Sequence, residues 1–138
     1  MASPAADVAG LINSQSIATS GTDLFVGRTP TSPYKCVVVM DSGGAAPNPK
    51  WARDDPDIQI IVRGDRNNYS DAYDLALSIK NYLLGLELQT VGTKIYARFI
   101  MRSDITFIHY DENNCPVFTM NWRLTVDLPD TGNRLTIS

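Results

Sequence analysis

The sequence is short of the residues that most often carry chemistry. One histidine and two cysteines in 138 residues leave no His/Cys set at zinc-ligand spacing and no disulfide framework. No run approaches the ~18 apolar residues of a membrane span. "MASPAADVAG" lacks a basic start and an apolar core, so no export signal is expected. The twelve Lys and Arg are scattered and are outnumbered by fifteen Asp and Glu, for a net charge of −3. A dedicated duplex-DNA binder needs a concentrated basic face instead. The chain is therefore expected to be made and assembled in the cytoplasm, with Cys36 and Cys115 as free thiols.

What is present is an ordinary globular composition, 43% hydrophobic and 9% aromatic, at a length suited to one domain that buries about two-thirds of its unfolded surface. Residues 1–138 are read as that single domain, with a polar tail over 129–138. Ser3-Pro4 followed by Val8, Leu11 and Ile12 predicts a short N-terminal helix of about three turns. "GTDLFVGR" and the β-branched "KCVVVMD" predict two strands, the second bounded by Gly43-Gly44. Residues 43–56 are rich in Gly, Pro, Asn and Asp and read as a long loop anchored by Trp51. "DIQIIVRG" alternates as a third strand.

The strongest helical pattern covers about residues 70–84, with Ser70 as N-cap and Gly85 as stop. Ala72, Leu75, Ala76, Ile79 and Leu83 form one face, flanked by Tyr73, Leu77 and Leu84, which is more apolar girth than one core contact uses. Three further strands, "KIYARFIMR", "DITFIHY" and "PVFTMNWRLTVD", complete the pattern. In the last, Phe118, Met120, Trp122, Leu124 and Val126 alternate with polar residues. The fold class predicted is α+β: a mainly antiparallel sheet packed on a long central helix and a short N-terminal one.

Candidate chemistry thins out on inspection. Asp41-Ser42-Gly43-Gly44 is similar to the Gly-Asp-Ser-Gly-Gly-Pro motif of chymotrypsin-like proteases, but Ala45 stands where proline belongs. A serine nucleophile also needs a base within hydrogen-bond reach, and His109 alone could serve. The plainer reading is a strand end with glycines at positive φ. "DRNNYSD" lacks the glycine and glutamate of a calcium loop, having Ser70 and Ala76 there. Arg63-Gly64-Asp65 reads as a strand end and turn. Gly43-Gly44 has no lysine or helix start after it to make a phosphate loop. No catalytic residue, metal site or cofactor is assigned, which favours a subunit of an assembly.

In order along the chain, "GTDLFVGRTPTSP", "CVVVMDSGG", "DIQIIVRG", "YSDAYDLALSIKNYL" and "SDITFIHYDENNCPVFTMNWRL" resemble the bacteriophage minor capsid protein family. Its members look like the tail terminators of long-tailed phages. The resemblance spans about residues 5–127 and departs in the loop over 45–55 and after Pro129. It implies a non-enzymatic virion protein of the neck, between tail and head. Copies would form a ring, expected as a hexamer, that caps the tail tube and joins it to the head. The implied partners are further copies, the tail tube protein and a head-completion or connector protein. DNA would pass through without specific binding, and no membrane is involved.

On this reading Tyr73, Leu77 and Leu84 are the candidate subunit interface, and the loop with Trp51, Arg53 and Asp54 is the candidate contact to a neighbour above or below. Three alternatives stay open. One is a head-closure or head–tail connector subunit, one a small serine hydrolase using Ser42 and His109, and one a binding module that works as a monomer.

Overall fold

A computed structural model of the chain describes residues 2–129 and 132–136. Helix α1 (Pro4–Ser14) begins as the sequence predicts. Ser3 Oγ accepts from the Ala6 amide at 3.2 Å and proline opens the helix, where its missing N–H removes no helical bond. Ala5, Val8, Ala9 and Ile12 are buried. Helix α2 (Tyr69–Leu83) buries Ala72, Ala76, Ile79 and Leu83. Its cap is Asn68, not Ser70: the Asn68 side chain accepts from the Asp71 amide at 3.3 Å. Tyr69 thereby joins the helix and sets its ring edge-on to Phe118, centroids 4.9 Å apart. Gly85, at φ +77°, marks the end as expected, and Leu84 is an extended cap residue outside the helix. With 11 and 15 residues both helices are short, so the expected long central helix is absent. The sheet organises the molecule instead.

Seven strands make that sheet: β1 (Leu24–Val26), β2 (Cys36–Gly44), β3 (Arg53–Asp54), β4 (Pro56–Arg63), β5 (Gln89–Val91), β6 (Lys94–Tyr110) and β7 (Pro116–Asp127). Their order is β1-β2-β4-β7-β6-β5, with β3 also paired to β7. The β1–β2 pair is parallel and the others are antiparallel, so the α+β class holds with a mixed sheet. The alternation read in β7 is realised: Phe118, Met120, Trp122, Leu124 and Val126 are all buried. They stand beside Ile58, Ile60 and Val62 of β4 and share one core with both helices. Trp122 is the largest fully buried side chain.

Three expectations are corrected. The two strands predicted over residues 94–110 are one strand of 17 residues. Ser103 and Asp104 interrupt the apolar pattern, but the chain absorbs the irregularity as bulges. Register shifts fall between Tyr96 and Arg98, Met101 and Ser103, Ser103 and Thr106, and Phe107 and His109, and each leaves surplus residues on β6 and bends it.

The loop expected over residues 43–56 is shorter. β2 continues through Gly43 and Gly44, and Gly44 lies opposite Pro56. A Cβ there would sit 2.4 Å from the Asp55 carbonyl oxygen at φ +131°, so glycine alone fits. The loop's buried anchor is Ala52, while Trp51 is 37% exposed.

Part of the polar tail packs back. Residues 130, 131, 137 and 138 of it lie outside the described residues. Residues 132–136 return to the Trp51 loop, where the Leu135 amide donates to Lys50 O at 2.9 Å and the Ala52 amide donates to Leu135 O at 2.7 Å.

Candidate functional site

The sheet separates the two residues of the proposed hydrolase. Ser42 follows Asp41, which lies opposite Ile58 on β4. His109 lies opposite Val117, which in turn lies opposite Arg63. Along β4 the steps from Ile58 to Arg63 amount to about 17 Å, before the intervening strands are crossed. Ser42 lines an open polar cleft with Asp57, Arg102, Ser103 and Asn121. His109 lines another, with Arg63, Tyr110 and Glu112. No hydrogen bond can join them, so this serine has no imidazole base. Among the described residues, no group of three His, Cys, Asp or Glu gathers in a metal-holding arrangement. No helix among the described residues is long and apolar enough to cross a membrane.

Arg63 serves the fold. It is 8% exposed and donates to the carbonyl oxygens of Tyr34 at 2.6 Å and of Pro30 and Pro33 at 2.8 Å. One fork of N–H groups thus pins the crossover between the parallel strands β1 and β2, a geometry that suits guanidinium and not ammonium. The buried Cys36 lies beside it in register. Burial raises the Cys36 and Cys115 thiol pKa values, so both stay protonated near neutrality. Cys115 sits in the β6–β7 turn, fully buried, its amide donating to Asp111 Oδ1 at 3.0 Å.

The face of the sheet turned away from the helices carries fork-shaped ion pairs. Asp57 accepts from Arg123 Nε at 2.8 Å and Nη2 at 3.1 Å, and from Arg102 at 3.2 Å. Arg53 makes the same two-pronged contact with Asp127, at 2.5 and 3.1 Å; on the other face Asp54, opposite Val126, is reached by Arg134 at 2.7 Å. The Arg123 hydrogen bond holds the Asp57 carboxyl below its ordinary pKa, against burial, with Arg102 helping. Arg53 and Asp54, read from sequence as candidate contacts on a loop, are strand residues engaged within the chain, because β3 delivers them to β7. Opposite charges here largely cancel one another, and bidentate geometry fixes them in place.

On the helix-bearing side, Asp7 and Lys94 form an ion pair with both side chains buried, and the Tyr96 hydroxyl also donates to Asp7. Burial first, then that hydrogen bond, drives the Tyr96 phenol pKa strongly upward. Lys94 Nζ also donates to Ala2 O at 2.6 Å, which ties the entry to α1 onto the start of β6.

Exposed apolar side chains gather at the two ends of the strands, with others, such as Val26, Leu88 and Ile100, elsewhere on the sheet and its connections. At one end, Tyr69, Tyr73, Phe107 and Tyr110 are 37–47% exposed. They form a chain of tilted and edge-on contacts: Tyr69–Phe107 at 5.3 Å, Phe107–Tyr110 at 5.3 Å, and Tyr73 to the buried Phe118 at 6.0 Å. Such geometry suits aromatic quadrupoles. At the other end stand Trp51 and Leu135, 37% and 51% exposed and bridged through their backbones, with Lys50 Nζ 5.1 Å from the indole centroid.

The expected interface trio is divided by the fold. Tyr73 belongs to the aromatic end, Leu77 is half-buried, and Leu84 is half exposed beyond the helix. Sequence reading missed Tyr69, Phe107 and Tyr110. The spacing of Tyr69 and Tyr73, one helical turn apart, was the available signal.

No curated protein sequence matches the chain closely enough to serve as a named relative. A family model described as bacteriophage tail terminator protein matches residues 11–128, which takes in all seven strands and both ends of the sheet. The chain belongs to the bacteriophage tail terminator proteins.

Proposed function

We propose that the chain acts as a ring-forming terminator: copies close around the end of a finished tail tube, stop its growth and offer the face on which the head docks. Family membership over residues 11–128 carries this reading. On this reading the chain is a structural component of the phage particle that works by contact and not by bond-breaking. The partners are further copies (a hexamer), the tail tube protein and a head-completion or connector protein, assembled in the host cytoplasm.

Two properties support the reading. The two ends of the strands carry exposed apolar groups that differ in kind, which suits a ring whose two faces meet different neighbours, tail tube on one side and head on the other. Many of the sheet's arginines are held by carboxylates, so few free cations remain to displace counterions from passing DNA.

The test is a phage unable to make the chain. Tails of uncontrolled length, without heads, are the expected result, and tails of normal length joined to heads would overturn the reading. A head-closure or connector subunit is the second reading, and it differs in where the chain is found: on isolated heads, not on isolated tails. For the interface itself, Tyr73→Ala with Leu77→Ala should reduce ring assembly by light scattering with little loss of fold. An unchanged oligomer would reject that patch.

A further inference from the structure

We infer that the sheet continues from one copy into the next, the free edge of β6 pairing antiparallel with the free edge of β1 in a second copy of this chain. The inference rests on the ring reading above and adds which strands meet. Every backbone N–H and C=O on a sheet edge must go to water or to another strand. Among the described residues, the sheet has two such edges. β6 is bonded to β7 on one side, and on the other β5 covers only Lys94, Ile95 and Tyr96, leaving residues 97–110 open. At the far side β2 is the strand that β1 pairs with, and the segment 19–21 covers the outer side of Leu24, bridged to Ser20 with the Gly21 amide donating to Leu24 O at 3.0 Å, so that the open part of this edge is at Val26.

Three observations match these edges to each other. The first is length. Bulges break most of β6 and blunt it against pairing, but residues 98–101 keep an unbroken register from Arg98 opposite Thr125 to Met101 opposite Trp122. That regular window is long enough to take the open end of β1 at Val26, the last of its three residues.

The second is direction. β1 runs with β2, β2 against β4, β4 against β7, and β7 against β6, so β6 runs opposite to β1. A copy rotated about an axis along the strands keeps its direction. Its β1 then meets β6 antiparallel, with the better hydrogen-bond geometry.

The third is backbone valence. Gly27 N donates to Val39 O at 3.0 Å and Val37 N to Asp23 O at 2.8 Å, so residues 23, 25 and 27 face β2 while 24 and 26 face outward. The Leu24 amide is taken by Thr19 O at 3.1 Å. The Val26 amide and carbonyl are left directed at the open edge. The Val26 side chain, 45% exposed, lies on the helix-bearing side with Phe99 and Met101, whose contact would cover it.

Joining unlike edges of identical copies is a heterologous contact that closes when its rotation closes, and closure removes both edges at once.

Two variants test this in the full chain, purified and on assembled tails. Facing residues of an antiparallel pair stand about 5 Å apart, within disulfide reach, and the native thiols are buried. Val26→Cys combined with Met101→Cys, or with Phe99→Cys for the neighbouring register, should give a ladder of covalent multimers on oxidation, absent from each single variant. Val26→Pro removes only the outward amide and should leave a folded chain, by circular dichroism, whose ring fraction falls at least tenfold, while Val26→Ala keeps it. Rings that form without cross-links in either register, and that tolerate Val26→Pro, overturn the strand pairing and leave the terminator reading intact. A chain that sits on tail ends as single copies overturns both.

Discussion

Asp7 of α1 and Lys94 of β6, 87 positions apart in the chain, meet as an ion pair buried on both sides. Removing one partner from such a pair strands a charge, whereas removing both need not. Lys94→Met should therefore cost about 3–5 kcal/mol in urea denaturation. Asp7→Asn added to Lys94→Met should recover much of that loss. Losses that simply add would show that the two groups do not depend on each other.

The Arg63 fork gives a second prediction. Arg63→Met leaves the carbonyls of Pro30, Pro33 and Tyr34 without their donor and should cost about 2–3 kcal/mol. Arg63→Lys should rescue little of it, because one ammonium cannot reproduce the planar spread of donors. Full rescue by lysine would show that charge alone matters at this position.

Neighbouring glycines should behave differently. Gly43→Ala meets open space and bears only the strain of φ +90°, whereas Gly44→Ala drives its methyl into the Asp55 carbonyl and Pro56. Gly44→Ala should lower the thermal midpoint by several degrees more than Gly43→Ala. Equal midpoints would mean that β2 and the start of β4 do not approach as closely as described.

Acid should weaken the fold through Asp57. Its folded pKa lies below the unfolded value of about 4, so the unfolded state takes up the proton more readily. The contribution is complete above the unfolded value and is lost as pH falls through the folded one. Asp104, held down by Lys80, acts in the same direction. Asp57→Asn should flatten the stability profile below about pH 4 and leave its shape above pH 6 unchanged. A profile as steep as that of the parent would assign the acid sensitivity elsewhere.

Ser42→Ala and His109→Ala should each leave phage yield and tail length unchanged. A joint loss of function in these two variants would restore a chemical role to residues that the sheet holds at opposite ends.

The parts of the fold legible in the sequence were those where one local rule acts alone. β7 alternates without interruption, so its buried face could be written down residue by residue. Ser3-Pro4 sets the start of α1 by hydrogen bonding and ring geometry within one turn. β6 was misread as two strands because bulges shift parity, and Phe99 and Met101 stay inward only by the count of surplus residues, which the partner strand decides. The cap of α2 moved to Asn68 because Tyr69 gains Phe118, a residue 49 positions later on β7.

The same limit governed the surfaces. Trp51 and Tyr73 were read as candidate contacts and are exposed, but Arg53 and Asp54 were read the same way because nothing local announces Asp127 or Arg134 as their partners. The alternate residues Asn121, Arg123, Thr125 and Asp127 signalled a polar sheet face without revealing that its charges are already neutralised.

The strands run between an aromatic end, with Tyr69, Phe107 and Tyr110, and an end that bears Trp51, Leu135 and Lys50. In the proposed ring, rotation about an axis parallel to the strands would carry each group onto its own kind, so every copy would point the same way. Such a collar would be vectorial: its two rims would offer unlike adhesive chemistry, and a particle threaded through it would acquire a front and a back from the direction of one sheet.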